Sequence, residues 1–162
     1  MLNWFLDRIE QWVIIPLLAF LLAFITIGVF ITVVMRYVFH ASFLWGEELS
    51  IFAFIWCVFL GAFIGVRRHI HLGFDFLSER LRGRWLGVQK LIVDLSIAGV
   101  AVLLAVEGWT FSDMSAQRFS PALGISMFVP TLVMPITGVL MFLAVLGDLA
   151  RDLRLVISGY RE

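Results

Sequence analysis

Two adjacent carboxylates, Glu47 and Glu48, stand directly before one of the most apolar runs of the chain. Acids at a helix N-terminus interact with its unpaired N–H groups and its positive dipole end, which contributes about 0.3–1 kcal/mol each. Arg36 and His40 end the preceding apolar run, so a second possibility is an ion-pair cluster that orders the turn or docks a partner helix. Substrate or ion binding is a third possibility, and the sequence leaves all three open.

Asp94 is an acid placed well inside an apolar segment. A charge at the centre of a bilayer costs about 2.5–3.5 kcal/mol on insertion scales, so such a residue is a candidate for function. Lys90 lies one helical turn earlier and can neutralise it locally. Asp94 is therefore interpreted as a structural partner of Lys90, as a bond to another subunit, or as a proton or sodium site.

Patterns typical of catalysis or cofactor binding are absent from the sequence. Haem ligation in a membrane needs histidines within spans, whereas His40, His69 and His71 fall between the apolar runs. Cys57 is the single cysteine, which excludes an intramolecular dithiol pair. No catalytic triad, metal-ligand spacing or phosphate-binding glycine motif occurs. We therefore expect no catalytic residues, no metal and no cofactor.

The amino-acid composition indicates which class of protein contains these residues. Of the 162 residues, 62% are hydrophobic and 15% are charged, and the mean hydropathy is +1.02. A soluble domain of this size cannot bury so much apolar surface, so a bilayer must cover part of it. The formal net charge of zero gives no indication of a nucleic-acid partner.

Four segments have the roughly 20 apolar residues that a transmembrane helix needs. We predict an all-α integral membrane protein with a single membrane domain, 1–162, and spans at 13–35, 44–66, 88–110 and 125–147. Residues 1–12 and 73–85 carry apolar side chains at helical spacing opposite charged ones, which predicts two interfacial amphipathic helices. The N-terminus lacks the pattern of a cleaved signal peptide, so the first span is expected to remain in the mature protein.

Four spans place both termini and the middle loop on one side of the membrane. Of the 12 basic residues, Arg36 and Arg118 alone fall on the opposite side. Because positive residues accumulate on the cytoplasmic side, we expect both termini in the cytoplasm. Basic residues of the inner side serve as a topology signal or hold anionic lipid headgroups. The candidates for this anchor are Arg67, Arg68, His71, Arg80 and Arg84.

Several short motifs, which together cover most of the chain, occur in an order and spacing that resemble one known family. In chain order they are Arg36-Tyr37-Val38-Phe39, Trp45-Gly46-Glu47-Glu48, Trp56, Gly61-Ala62, Arg67-Arg68, His71-Leu72-Gly73-Phe74-Asp75, and Ser120-Pro121-Ala122-Leu123 with Pro130 and Pro135. The chain resembles the small membrane subunit, DctQ-like, of tripartite ATP-independent periplasmic (TRAP) transporters.

The resemblance implies a multi-pass subunit of the bacterial inner membrane that acts as a scaffold for a larger membrane subunit. The larger subunit would carry the substrate and sodium sites, and a periplasmic substrate-binding protein would deliver an organic anion such as a dicarboxylate or sialic acid. Membrane lipids are the remaining expected partner. The candidate residues for the interface with a partner subunit are Arg36, Tyr37, Trp45, Glu47, Glu48, Trp56 and Asp94.

Two other functions compete with the scaffold. A self-sufficient ion-coupled carrier or exporter would use Asp94, although near the middle of the third span Ser96 alone is polar beside it. A redox subunit would show a haem absorbance band. A scaffold instead needs helices that can approach other helices closely, and small residues permit this. The glycines expected to serve in this way are Gly28, Gly61, Gly65, Gly99 and Gly138.

Overall fold

The computed structural model describes residues 2–68 and 84–157, and within these ranges the chain is built from helices. They are α1 (Leu2–Ile9), α2 (Ile15–Tyr37), α3 (Leu44–Arg67), α4 (Arg84–Ser115), α5 (Phe128–Thr131) and α6 (Val133–Ile157), with a π-helical turn, Glu10–Ile14, between α1 and α2. Four helical stretches are long and apolar enough to cross a membrane: Leu6–Tyr37, Leu44–Arg67, Leu91–Ser115 and Phe128–Gly147. The predicted all-α membrane class is confirmed.

The π turn has a local cause in Pro16, near the start of α2. Proline has no N–H, and its ring clashes with the carbonyl four residues earlier, so a regular α-helix cannot pass through it undisturbed. The N–H of Ile15 donates instead to the carbonyl of Glu10, five residues back. The described part of the amphipathic segment, residues 2–12, therefore passes directly into the first span. Its location in the membrane interface stays a prediction.

The long helices form a row in which α2 packs on α3, α3 on α6, and α6 on α4. Helices α2 and α4 are therefore the two edges of the row. Burial follows this order, since 6% of the most apolar window of Leu6–Tyr37 is buried against 44% for Phe128–Gly147. In a bilayer the outward apolar side chains of the edge helices face lipid or another protein.

The contact between α4 and α6 depends on two glycines. A Cβ atom on Gly138 would lie 2.5 Å from the backbone nitrogen of Ala105 and 2.8 Å from the carbonyl oxygen of Ala101. A Cβ on Gly108 would lie 3.0 Å from the backbone nitrogen of Pro135. The two backbones thus approach each other as closely as their atoms permit. Such van der Waals packing is a main source of helix association in lipid.

An apolar cluster joins α1 to the row. Leu6 of α1 belongs to the same cluster as Leu60 and Phe63 of α3 and as Met141 and Ala144 of α6. Leu6 and Phe63 are almost completely buried. The N-terminal helix is therefore a packed part of the fold.

The helices extend beyond the apolar runs that identified them. Helix α4 begins at Arg84 and ends at Ser115, whereas hydropathy predicts a span at 88–110. Helix α6 continues to Ile157, beyond the predicted span at 125–147. Hydropathy marks the part of a helix that can lie in hydrocarbon, whereas the helix itself continues as long as its backbone hydrogen bonds do. Nearly all of the predicted interfacial helix at 73–85 lies outside the described residues.

Candidate functional site

The start of α3 is built around an aromatic pair. The carbonyl of Phe43 accepts hydrogen bonds from the N–H groups of Gly46, at 3.1 Å, and Glu47, at 3.2 Å. The ring of Phe43 lies against that of Trp45, with 4.1 Å between the ring centroids. A Cβ on Gly46 would overlap the Phe43 ring. The glycine of the Trp-Gly-Glu-Glu motif is therefore required for the aromatic pair to fold over the helix start.

Glu47 forms an ion pair with Arg36, in which the guanidinium of Arg36 donates to the carboxylate. Arg36 lies in the last turn of α2, so the pair bridges the end of α2 and the start of α3. The two side chains are 58% and 35% exposed, and exposed pairs of this kind contribute at most about 1 kcal/mol. The structure thus shows the ion pair that was one of the possibilities open from the sequence.

Glu48 contacts a different part of the chain. Its Oε2 atom accepts hydrogen bonds from the N–H groups of Ala122, at 3.2 Å, and Leu123, at 3.0 Å. These residues lie in the turn that connects α4 to α5. The sequence did not predict this contact, because nothing in the spacing of the two segments relates them. The two neighbouring acids therefore fasten α3 to two different elements.

The turn that Glu48 holds is itself closely hydrogen bonded. The N–H of Gly124 donates to the carbonyl of Ser120 at 2.9 Å, and the N–H of Ser120 donates to the carbonyl of Ile125 at 2.9 Å. The Ser120 hydroxyl accepts from the N–H of Leu123 at 3.1 Å. Gly124 has a φ of 66°, a conformation that favours glycine. The Ser-Pro-Ala-Leu motif is thus the part of the loop that receives Glu48.

A second ionic cluster, consisting of Asp7, Glu10, Arg67 and Arg68, lies at the opposite end of α3. The Nε atom of Arg67 lies 2.7 Å from Oε2 of Glu10, and Arg67 also pairs with Asp7. The Nε atom of Arg68 lies 2.9 Å from Oε1 of Glu10. The Glu10 side chain is 8% exposed and that of Arg67 is 12% exposed.

The sequence identified Arg67 and Arg68 as a topology signal or lipid anchor and did not predict their pairing with α1. A signal was present, since Asp7 and Glu10 are three residues apart and such positions share one face of a helix. Their partners could not be named, because Arg67 lies 60 residues from Asp7 and Arg68 lies 58 residues from Glu10 in the chain.

The remaining candidates are more scattered. Tyr37 and Trp45 are largely exposed near the Arg36 end of the row, whereas Trp56 lies inside α3 against the apolar cluster. Asp94 is buried in α4. The structure thus groups the motifs around the start of α3 and leaves Trp56 and Asp94 elsewhere. Their role at a partner interface stays a prediction.

Of the three remaining candidates for a cytoplasmic anchor, the structure describes one. His71 and Arg80 lie outside the described residues, and Arg84 is described as the first residue of α4. In the ranges that the structure covers, no group of three or more His, Cys, Asp or Glu side chains could hold a metal ion.

A row of four membrane-spanning helices, fastened by ionic contacts at both ends of α3, defines a small multi-pass membrane protein. Residues 25–155 match the family described as tripartite ATP-independent periplasmic transporters, DctQ component. Because the match covers most of the chain, the protein belongs to this family. It is a multi-pass protein of the inner membrane.

Relatives with assigned names agree with this family. The chain is 34% identical over 107 residues to the C4-dicarboxylate TRAP transporter small permease protein DctQ of Vibrio cholerae, covering 66% of this chain and 44% of the relative. It is 27% identical over 162 residues to the sialic acid TRAP transporter small permease protein SiaQ of the same species, covering 98% and 89%.

A third relative is a much longer chain. The isethionate TRAP transporter permease protein DctMQ of Oleidesulfovibrio alaskensis is 28% identical over 120 residues, which cover 71% of this chain and 18% of the relative. The matched region thus spans less than half the length of two of these three relatives.

Proposed function

We propose that this chain is the accessory scaffold subunit of a sodium-coupled, binding-protein-dependent secondary transporter that imports an organic anion, of the carboxylate type, across the inner membrane. Its membership of the DctQ family carries the proposal. The names of its relatives refer to C4-dicarboxylates, sialic acid and isethionate, all of which are organic anions. The proposed role involves no catalysis.

The main partner in this proposal is a large membrane subunit. The relative named DctMQ supports it, because there a segment similar to this chain occupies 18% of one long polypeptide. The shape of the fold also supports it, since the edge helix α2 leaves most of its apolar surface uncovered. Such a face allows the helices of a partner to pack closely against it, which is a main source of helix association in lipid.

The proposed contact region for this partner is the end of the row where α2 ends and α3 begins, which is the outer end in the predicted topology. Exposed Tyr37 and Trp45 lie beside the half-exposed pair of Arg36 and Glu47. Tyrosine, tryptophan and arginine are enriched among residues that carry binding energy at interfaces. A periplasmic substrate-binding protein is the proposed third component, and lipids fill the remaining apolar surface.

The scaffold proposal is tested by reconstitution. We expect liposomes that contain this chain alone to show no sodium-driven uptake of dicarboxylate or sialic acid, and the chain to copurify with a larger polytopic protein. The reason is that a scaffold lacks a substrate pathway of its own. Sodium-driven uptake by the chain alone, lost in Asp94→Asn and kept in the exposed Glu107→Gln control, would instead support a self-sufficient carrier.

The cytoplasmic location of the N-terminus is tested by labelling. In a Cys57→Ala background we expect a cysteine at exposed Arg8 to react with a membrane-impermeant maleimide in inside-out vesicles. A cysteine at exposed Gln117 should react in right-side-out vesicles. The physical reason is the concentration of basic residues on the side of the termini. The reverse labelling pattern would refute this orientation.

A further inference from the structure

The edge helix α2 has little contact with the rest of the row. It contacts the row through α3, and 6% of its most apolar window is buried. Lipid tails are as apolar as leucine, so the hydrophobic effect gives little preference for α3 over lipid as a neighbour. Close packing at Gly28, where a Cβ would lie 2.9 Å from the Ser50 hydroxyl, holds part of this helix to α3, and polar contacts at its ends can add to this packing.

Helix α1, the π turn and α2 form one continuous helical segment, and ionic contacts lie near both of its ends. At the outer end Arg36 pairs with Glu47. At the opposite end of the row, where α3 ends and which is the inner end in the predicted topology, Glu10 accepts from Arg67 and Arg68. Glu10 is the most buried acid of this arrangement, and its two oxygen atoms bind one arginine each. Loss of a buried charge of this kind leaves its partners poorly compensated.

The π turn contributes to the inner contact. Glu10 is its first residue, and the backbone carbonyl of Glu10 accepts from the N–H of Ile15. A π turn holds one residue more than an α turn, so it changes the direction in which the preceding residues face. Both Glu10 and Leu6 are buried. The face of α1 and the π turn that carries these two residues therefore packs against the end of the row where α3 ends.

We infer that Asp7, Glu10, Arg67 and Arg68 form an ionic strap that fastens the N-terminal helix across the inner end of α3. The strap adds ionic contacts to the end of this segment where Leu6 and Ile14 are buried, and the pair of Arg36 and Glu47 adds one at the other end of α2. The arginine pair that ends the second span therefore has a structural function within this chain. This inference does not rest on the proposed transport role.

Hydrogen exchange of the intact membrane complex tests the strap. In Glu10→Gln we expect the amides of residues 2–14 to exchange at least about tenfold faster than in the wild type, because the segment opens locally. Peptides from the outer half of α3 should exchange at the wild-type rate, which shows that the protein remains folded. Glu107→Gln makes the same chemical change at an exposed acid and should leave residues 2–14 unaffected.

Two further variants separate the ionic contacts from apolar burial. Arg68→Gln removes a half-exposed partner and should accelerate exchange of residues 2–14 by a smaller factor than Glu10→Gln does. Leu6→Ala removes the apolar contact of α1 and should accelerate it as well. Wild-type exchange in both Glu10→Gln and Arg68→Gln, with acceleration in Leu6→Ala alone, would overturn the strap. If Glu10→Gln does not accumulate, Arg68→Gln alone provides the test: faster exchange of residues 2–14 supports the strap, and wild-type exchange overturns it.

Discussion

Replacing Gly138 by leucine is expected to separate α6 from α4 and to destabilise the chain by about 3 kcal/mol or more. A Cβ at this position would lie 2.5 Å from a backbone nitrogen and 2.8 Å from a carbonyl oxygen of the facing helix. Backbone atoms cannot rotate away as a side chain can, so the helices themselves must move apart. The gain in helix propensity over glycine, about 1 kcal/mol, is too small to offset this.

The matched control for this substitution is Gly99→Leu. Gly99 lies in α4, and no heavy atom of the described chain lies within 4 Å of where its Cβ would be. The same change should therefore leave the stability of the isolated chain nearly unaltered. Thermal unfolding in detergent, followed by the fluorescence of the six tryptophans, measures both. Equal losses of stability in Gly99→Leu and Gly138→Leu would contradict the close contact of α4 and α6.

These two glycines also show where prediction from the sequence ended. Five glycines were expected to permit close helix packing, and Gly28 and Gly138 lie at such contacts, with a Cβ on Gly28 coming 2.9 Å from the Ser50 hydroxyl. Gly61, Gly65 and Gly99 face open space in the described part of the chain. Residue type could not distinguish the two groups, because packing depends on which helices are neighbours.

The spans themselves could be predicted because a bilayer imposes a length and a composition on any helix that crosses it. The order of the helices in the row could not. Helix α2 is apolar on every side, so its sequence contains no stripe that identifies the face turned to α3. An apolar helix surface can face either lipid or protein in a membrane. The apolar stripe that marks the core-facing side of a helix in a soluble protein is therefore absent.

Polar contacts at the helix ends were predictable to different extents. The pair of Arg36 and Glu47 joins consecutive spans across a short connection, so their proximity followed from topology. The contact between Glu48 and Leu123 spans 75 positions of the chain and depends on the placement of α3 beside the turn after α4. Pro16 was visible in the sequence, but its result, a π turn beginning at Glu10, required the structure.

Glu48→Ala is expected to release the turn at residues 120–124 and to destabilise the chain by about 2 kcal/mol. A hydrogen bond to a charged group contributes about 1.5–3 kcal/mol, and Glu48 accepts two of them. The loss is smaller than their sum because the N–H of Leu123 keeps its bond to the Ser120 hydroxyl. The exchange rates of the Ala122 and Leu123 amides, together with thermal unfolding of the chain, measure the effect.

Neighbouring Glu47 supplies the control for this prediction, because its pair with Arg36 is half-exposed and its loss should cost less than about 1 kcal/mol. Glu48→Gln should fall between the two alanine variants, since an amide oxygen accepts hydrogen bonds without the charge. If Glu47→Ala destabilises the isolated chain as much as Glu48→Ala does, the assignment of the two acids is wrong. A Glu47→Gln variant that is stable alone yet recovers less of the large subunit would indicate that Glu47 faces the partner while Glu48 orders the fold.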